Sequence, residues 1–401
     1  MAAADAICDL HVRESIRRRQ PPDMGGLHRI LAENILHGYD VLETAIHLTA
    51  STLALRAPQI TFKQMRLFNL PLGGEDSRLG SIEFMFERGI AMDRDIFGSV
   101  RSNVTQATGT GPVHIEARLP DLDLCVMNPP FVRSVGGNLL FGSAPEEERR
   151  LMQRRLARNI RQRHLSASTT AGLGAVFTAV ADTALKSGSR IALVLPKAVL
   201  SGVAWGKTRQ LLRSKYALEY VIASHDPEQW NFSESTELSE VLLIAKKGHI
   251  GVPTPPDATV TAVNLTRNLA NAFEALAVES ALRSPAPDVE HGQGALPVRI
   301  GDQSYGDAVS VPWSFLKEEP LWVLPCAFAQ SDLIRAAFHL KRGRLWLPGA
   351  AQSTPIPTCP LRTYGRLGPD RRDIHDGFRF SRSPTTYPVS YTHLTLPTIL
   401  R

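Results

Sequence analysis

The chain has 401 residues, of which 43% are hydrophobic and 21% charged. That is enough apolar material for a large buried core and excludes a disordered or low-complexity protein. Lysine plus arginine is 45 against 39 aspartate plus glutamate, a formal charge of +6 that permits a nucleic-acid partner without requiring one.

Four cysteines (Cys8, Cys125, Cys326 and Cys359) are too scattered for a zinc knuckle or a disulfide framework. A reducing cytoplasm and no metal are therefore expected. No apolar run reaches membrane-spanning length and the N-terminus lacks a basic-then-apolar leader, so no membrane partner is expected.

In chain order, residues 2–19 read as a helix ending in arginines and broken by Pro21-Pro22 and Gly25-Gly26. The apolar pair Ile35-Leu36 leads to Gly38-Tyr39-Asp40. A helical pattern on Val41, Ala45, Leu48 and Thr52 then stops before Pro58, giving strand, acid, helix. Residues 59–62 predict a short strand. A loop with Gly73 and Gly74 precedes Leu79-Gly80-Ser81-Ile82-Glu83-Phe84. Residues 122–127 are apolar apart from Asp123 and run into Asn128, as a buried strand ending in a loop would.

Ser143-Ala144-Pro145-Glu146 has the layout of a capping box with proline near the first turn. The helix that it opens starts with Glu146, Glu147 and Glu148. It continues through Arg149, Arg150, Arg154, Arg155, Arg158, Arg161 and Arg163, acid first and base last, which suits the helix dipole. Further on, a helix at 175–185, a strand at 190–195 stopped by Pro196, a helix at 207–214 and strands at 218–223 and 241–245 alternate. That order predicts an α/β fold with a doubly wound, mostly parallel sheet.

Prolines 252, 255 and 256 mark a boundary. Residues 251–387, with Trp313, Trp322 and Trp346, predict a smaller α+β region. Residues 388–401 (Pro-Val-Ser-Tyr-Thr-His-Leu-Thr-Leu-Pro-Thr and three more) read as a non-native tail. The expected division is thus 1–250, 251–387 and 388–401.

The chemistry concentrates at Asn128-Pro129-Pro130-Phe131. An exocyclic amino nitrogen is a poor nucleophile because its lone pair is delocalised into the ring. A side-chain carbonyl (Asn128) and a backbone carbonyl held by prolines (Pro129) can accept both amino hydrogens and free that lone pair. The prolines fix the backbone and have no N–H to satisfy. Phe131 can stack on an extruded base. As a bare tetrapeptide the run is equally a plain turn; following a strand it gains its functional meaning.

The motif resembles that of the amino-directed DNA methyltransferases, in the extended form Asp123-Leu-Cys-Val-Met-Asn128-Pro-Pro-Phe131 of the adenine-N6 branch. The resemblance covers about residues 1–248. It implies a Rossmann-like fold using S-adenosyl-L-methionine and catalytic roles for Asn128, Pro129, Pro130 and Phe131. It also implies cofactor contacts from Tyr39 and Asp40, whose carboxylate would hold the ribose hydroxyls, and from Ser81 or Glu83 beside the adenine. The family places aspartate where Ser81 stands. The competing readings are an acid that merely starts a helix at Asp40 and a plain strand-end loop at 79–83. Arg133, Arg154 and Arg158 are candidates for the DNA backbone, or for a solvated helix face; Gly136-Gly137 would suit a mobile loop that orders over the substrate, or, more simply, a plain turn.

The family's Gly-rich first motif is missing. The expected chain is therefore a catalytic domain incomplete at its N-terminus that binds the methyl donor weakly. The implied function is site-specific adenine-N6 methylation of DNA within a restriction–modification or phage-defence system, with a specificity or nuclease subunit as partner and region 251–387 starting target recognition. Two alternatives stand beside it. One is methylation of protein glutamine or RNA amino groups; the other is a non-catalytic DNA-binding or assembly subunit.

Overall fold

The N-terminal helix α1 (Ala2–Arg17) forms where the sequence predicts it. The next helix, Met24–Ile30, is started by the Asp23 carboxylate, which accepts from the Gly26 amide at 2.8 Å. Helical geometry then persists as a π turn over Leu31–Ile35, so Ile35-Leu36 is no strand, and β1 begins at His37 (His37–Asp40). Helix α2 (Glu43–Leu55) follows. The strand expected at 59–62 is a turn instead, with the Ile60 amide donating to the Ala57 carbonyl. Pro58 has no amide proton to give a ladder, and the alternation that buries Met65, Leu67 and Phe68 starts only in β2 (Gln64–Asn69). β2 pairs parallel with β1, Asp40 opposite Asn69.

Helix α3 (Ser81–Glu87) buries Ile82, Phe84, Met85 and Phe86. β3 (Leu122–Met127) leads into the Asn-Pro-Pro-Phe run. Helices α4 (Glu146–Gln162) and α5 (Leu173–Ala184) precede β4 (Leu185–Pro196). Then come α6 (Gly206–Lys215), β5 (Tyr216–Ser224), β6 (Glu240–Lys247) and β7 (Thr259–Leu265). After α7 (Ala272–Leu282), β8 (Leu296–Ile300) and β9 (Gln303–Pro312) close the sheet, and α8 (Ser331–Lys341) packs nearby. The strand order is β8-β9-β7-β5-β6-β4-β3.

Five strands of this seven-stranded sheet (β3, β4, β5, β7 and β8) run in one direction, in keeping with the expectation of a mostly parallel sheet, but two reversed strands make it mixed. Only the β3–β4 and β5–β7 pairings are parallel; β6 and β9 run against their neighbours. β6 slots antiparallel between β4 and β5, as a strand returning directly from its predecessor does. The boundary expected at residue 250 falls inside the sheet, because β7, β8 and β9 all join it. β3, expected to be buried, is an edge strand with Leu124 47% and Val126 68% exposed.

The computed structural model describes residues 2–73, 77–87, 89–90, 105–108, 113–114, 117–131, 140–142, 144–228, 232, 239–249, 251, 254–359 and 363. Met1–Ser353 form one unit. Thr354–Arg401 form a second, described only at 354–359 and 363. Gly74, Ser143, Arg133, Gly136-Gly137 and the 388–401 tail lie outside the described residues. Helix α4 itself is capped at Pro145, with no side-chain cap hydrogen bond, in place of the capping box expected at 143–146. No helix among the described residues is long and apolar enough to cross a membrane.

Candidate active site

β1 ends the smaller four-stranded sheet and β3 ends the seven-stranded one. Among the described residues neither has a strand on its outer edge. Both edges line one cavity of about 970 Å³, β1 with His37 to Asp40 and β3 with Leu122 and Leu124 to Met127. Val41, Leu79, Ser81, Ile82, Leu173 and Phe177 contribute to the remaining wall.

The cavity brings together most of the residues singled out from the sequence. Tyr39, Asp40, Ser81, Asn128, Pro129 and Pro130 all line it. Asp40 is its single carboxylate among the described residues. One oxygen of that carboxylate accepts from the Leu42 amide at 2.8 Å, starting the turn into α2. The backbone carbonyl of Asp40 accepts from Leu70 at 2.8 Å. Its second carboxylate oxygen has no partner among the described residues, so the carboxylate is held in place with one acceptor to spare.

Tyr39 is clamped. Its ring lies 5.3 Å from Phe68 and 4.5 Å from Phe84, and its hydroxyl donates to the Arg118 carbonyl at 3.2 Å. Burial pushes its phenol well above the ordinary range, so it stays protonated. His37, whose Nδ1 is 3.1 Å from that hydroxyl, is pushed down by burial.

Ser81 is positioned by Gly80. Gly80 has φ of +60°, and a Cβ there would meet Val41 Cγ1 at 2.5 Å. Only glycine allows both the left-handed turn and the approach to the residue after Asp40. Two residues on, Glu83 does not line the cavity. It is 2% exposed, accepts from the Leu79 amide at 3.0 Å, and pairs with Arg155 and, at 3.8 Å, with Arg78. Of the two candidates left open at 79–83, Ser81 is the one with access to the cavity.

Past β3, Asn128 and Pro130 are exposed while Pro129 is buried. A residue that the sequence did not single out packs beside Pro129. Gly174, in the first turn of α5, lies so close that a Cβ would come within 3.2 Å of Leu195 and Trp205 and 3.7 Å of Pro129. Phe131 does not line the main cavity; it faces an adjacent small pocket with Ala171, Gly174, Pro196 and Trp205. Asp123 is exposed near the start of β3 and paired with Lys186 at 2.8 Å.

Arg154 and Arg158 lie on the exposed face of α4, outside the cavity lining. The arginines of this helix that reach inward are others. Arg155 pairs with Glu83, and Arg163 donates to the Phe86 carbonyl. Both tie α4 to α3. No signal in the run of basic residues distinguishes inward from outward arginines, except that Met152, Leu156 and Ile160 mark the buried face. Among the described residues no cluster of histidine, cysteine, aspartate and glutamate could hold a metal.

No protein-family model matches the chain, and no curated protein does. Among solved structures it is similar to a modification subunit of a putative type I restriction enzyme from Vibrio vulnificus YJ016, at 16% identity and TM-score 0.35 over 63% of this chain and 40% of that one. It is also similar to the type I restriction enzyme EcoKI M protein, at 18% identity and TM-score 0.22 over 36% and 26%. A third is the ATP-dependent Type ISP restriction–modification enzyme LlaBIII bound to DNA, at 12% identity and TM-score 0.35 over 64% and 16%. The chain thus spans well under half of each. At such identities and scores the function has to be argued from the site.

Proposed function

We propose that the chain is the catalytic part of a DNA methyltransferase that modifies the adenine N6 amino group with S-adenosyl-L-methionine as donor. The observation that carries this reading is the shared cavity, with Asp40 at the end of β1 and Asn128-Pro129-Pro130 at the end of β3. Its volume suits a nucleoside-sized ligand.

The donor's adenosine half fits the described residues. Asp40 has a spare acceptor for a ribose hydroxyl, Ser81 can meet the adenine, and Leu79 and Ile82 offer apolar walls. When bound, the donor supplies an electrophilic methyl group. The methionine half fits less well, since the described lining has no second carboxylate for its ammonium group. Weak donor binding by this chain follows.

On the acceptor side, the Asn128 side-chain carbonyl and the Pro129 carbonyl accept the two amino hydrogens of an extruded adenine. Phe131, half-buried at the end of the run, offers its open face for stacking on that ring. The two prolines fix the backbone, so the acceptors need no rearrangement as the amino nitrogen gains positive charge. The amino group leaves its proton along the hydrogen bond to Asn128, from which solvent at this exposed position removes it. A restriction–modification setting with a specificity or nuclease subunit follows from the resemblance at the Asn-Pro-Pro-Phe motif.

The test has two parts. Calorimetry with S-adenosyl-L-methionine should give a dissociation constant far weaker than micromolar. At millimolar donor, mass spectrometry of mixed-sequence duplex DNA should detect N6-methyladenine. Asn128→Ala should lower its formation by at least about a hundredfold, the scale of losing one transition-state hydrogen-bond partner, with donor affinity unchanged. Retained transfer in that variant, or methyl groups found on RNA or glutamine but not DNA, would refute the proposal.

A further inference from the structure

A second cluster stands at the same edge of the sheet. β4 ends at Pro196 and β5 at Ser224, and both run in the direction of β3. Lys197 and His225 therefore emerge on the side that carries Asn128. Pro196 shares the small pocket of Phe131, and Lys197 is the next residue.

Lys197 Nζ lies 3.5 Å from His225 Nδ1. The tautomer follows from the other ring nitrogen. The Ala329 amide donates to His225 Nε2 at 3.2 Å, so Nε2 carries no proton and the neutral ring has its proton on Nδ1. An ammonium and an N–H thus face each other, two donors with no acceptor between them. Burial pushes the imidazole down to about 4, with Lys197 adding to the effect, and burial lowers the Lys197 ammonium as well.

The carboxylates nearby are committed elsewhere. Asp307 of β9 accepts from the Ser331 amide and hydroxyl and from Asn264, while Asp226 accepts from the Glu228 and Asn268 amides. Among the described residues Lys197 has no carboxylate partner. An anionic oxygen between Lys197 Nζ and His225 Nδ1 would accept from both and end the donor–donor contact.

We propose that Lys197 and His225 form an anion site for a backbone phosphate oxygen of the nucleic-acid strand whose base enters beside Phe131; the nucleic-acid half of this proposal rests on the methyltransferase reading. A phosphate held there would anchor the strand next to the pocket while contributing no sequence preference of its own.

Two measurements test it. In nuclear magnetic resonance of histidine-labelled protein, inorganic phosphate should shift the His225 ring signal, identified by its loss in His225→Gln. Lys197→Met should abolish that shift. In fluorescence anisotropy with a mixed-sequence duplex, Lys197→Met should weaken binding by roughly five- to tenfold and reduce the salt slope by about one. Lys197→Arg should retain most of the affinity, and an unchanged urea midpoint shows that the Met variant is folded.

Duplex affinity and slope unchanged in a folded Lys197→Met protein overturn the proposal. A phosphate shift without an effect on duplex binding assigns the site to free phosphate and overturns the nucleic-acid half, leaving the methyltransferase reading intact. Loss of duplex affinity in a protein that transfers no methyl group supports the anion site and refutes that reading instead.

Discussion

At the scale of single residues, Asp40 and Asn128 share a construction: each is the polar residue at which a strand gives way to a loop. A glycine on a neighbouring element packs close to each. Gly80 lets the 79–81 turn press against Val41, and Gly174 lets α5 press against Leu195 and Trp205, with Pro129 at ordinary contact distance. Gly80→Ala must place a Cβ 2.5 Å from Val41 Cγ1 in a left-handed conformation. The conformation alone costs about 1–2 kcal/mol, and the clash adds to it. Gly349, at φ of +81° with nothing within 4 Å of a built Cβ, is the control. Urea denaturation should show Gly80→Ala more destabilising than Gly349→Ala, with donor affinity reduced in the first alone. Equal losses would mean that the contact with Val41 gives way freely.

At the scale of elements, α3 and α4 behave as one piece. The sequence pattern offers Glu83 as a cofactor contact and the arginines of α4 as a phosphate track, but Glu83 spends its carboxylate on Arg155, Arg78 and the Leu79 amide. This pairing was illegible because it joins residues 72 positions apart, and Arg155 does not differ in type from the arginines around it. Glu83→Gln keeps an acceptor for Leu79 but loses the charge that faces two partly exposed arginines. The expected cost is about 1.5–3 kcal/mol, the worth of hydrogen bonds to a charged group, and α3 should loosen against α4. Hydrogen exchange should report faster opening of α3, while duplex affinity stays within about twofold because no phosphate contact is assigned to this pair. If stability is unchanged, Glu83 is not what fastens the two helices.

At the scale of the molecule, local signals were legible and the pairing of strands was not. The helix after Asp40, the strand before Asn128 and the strand before Pro196 follow from periodicity and breakers. The antiparallel insertion of β6, and the continuation of one sheet through 259–312, depend on which edges meet across the chain. The Pro255-Pro256 segment looks like a domain boundary, yet β7 pairs with β5.

The far side of the sheet is held by a buried charge cluster that the sequence also conceals. Asp182 of α5 is 3% exposed; it accepts from Lys215 at 2.5 Å and from the Tyr216 hydroxyl at 2.9 Å, and pairs with Lys247 at 3.1 Å. Burial alone would raise its carboxyl, but Lys215, Lys247 and Tyr216 outweigh it and hold the group below its ordinary value of 3.8. A carboxyl depressed in the folded state adds stability that is present in full above the unfolded value and is lost as pH falls through the folded one. Part of the protein's stability should therefore disappear between about pH 5 and pH 3. Asp182→Asn should cost about 3 kcal/mol at pH 7, at the low end for breaking a buried pair because Lys215 is 52% exposed. It should also flatten the curve in that window, since no carboxylate is left there to protonate. Denaturation of both proteins at pH 7 and pH 3.5 decides it. Parallel losses would mean that other carboxylates carry the acid sensitivity; convergence on acidification would make Asp182 the clasp between α5, the end of α6 and β6.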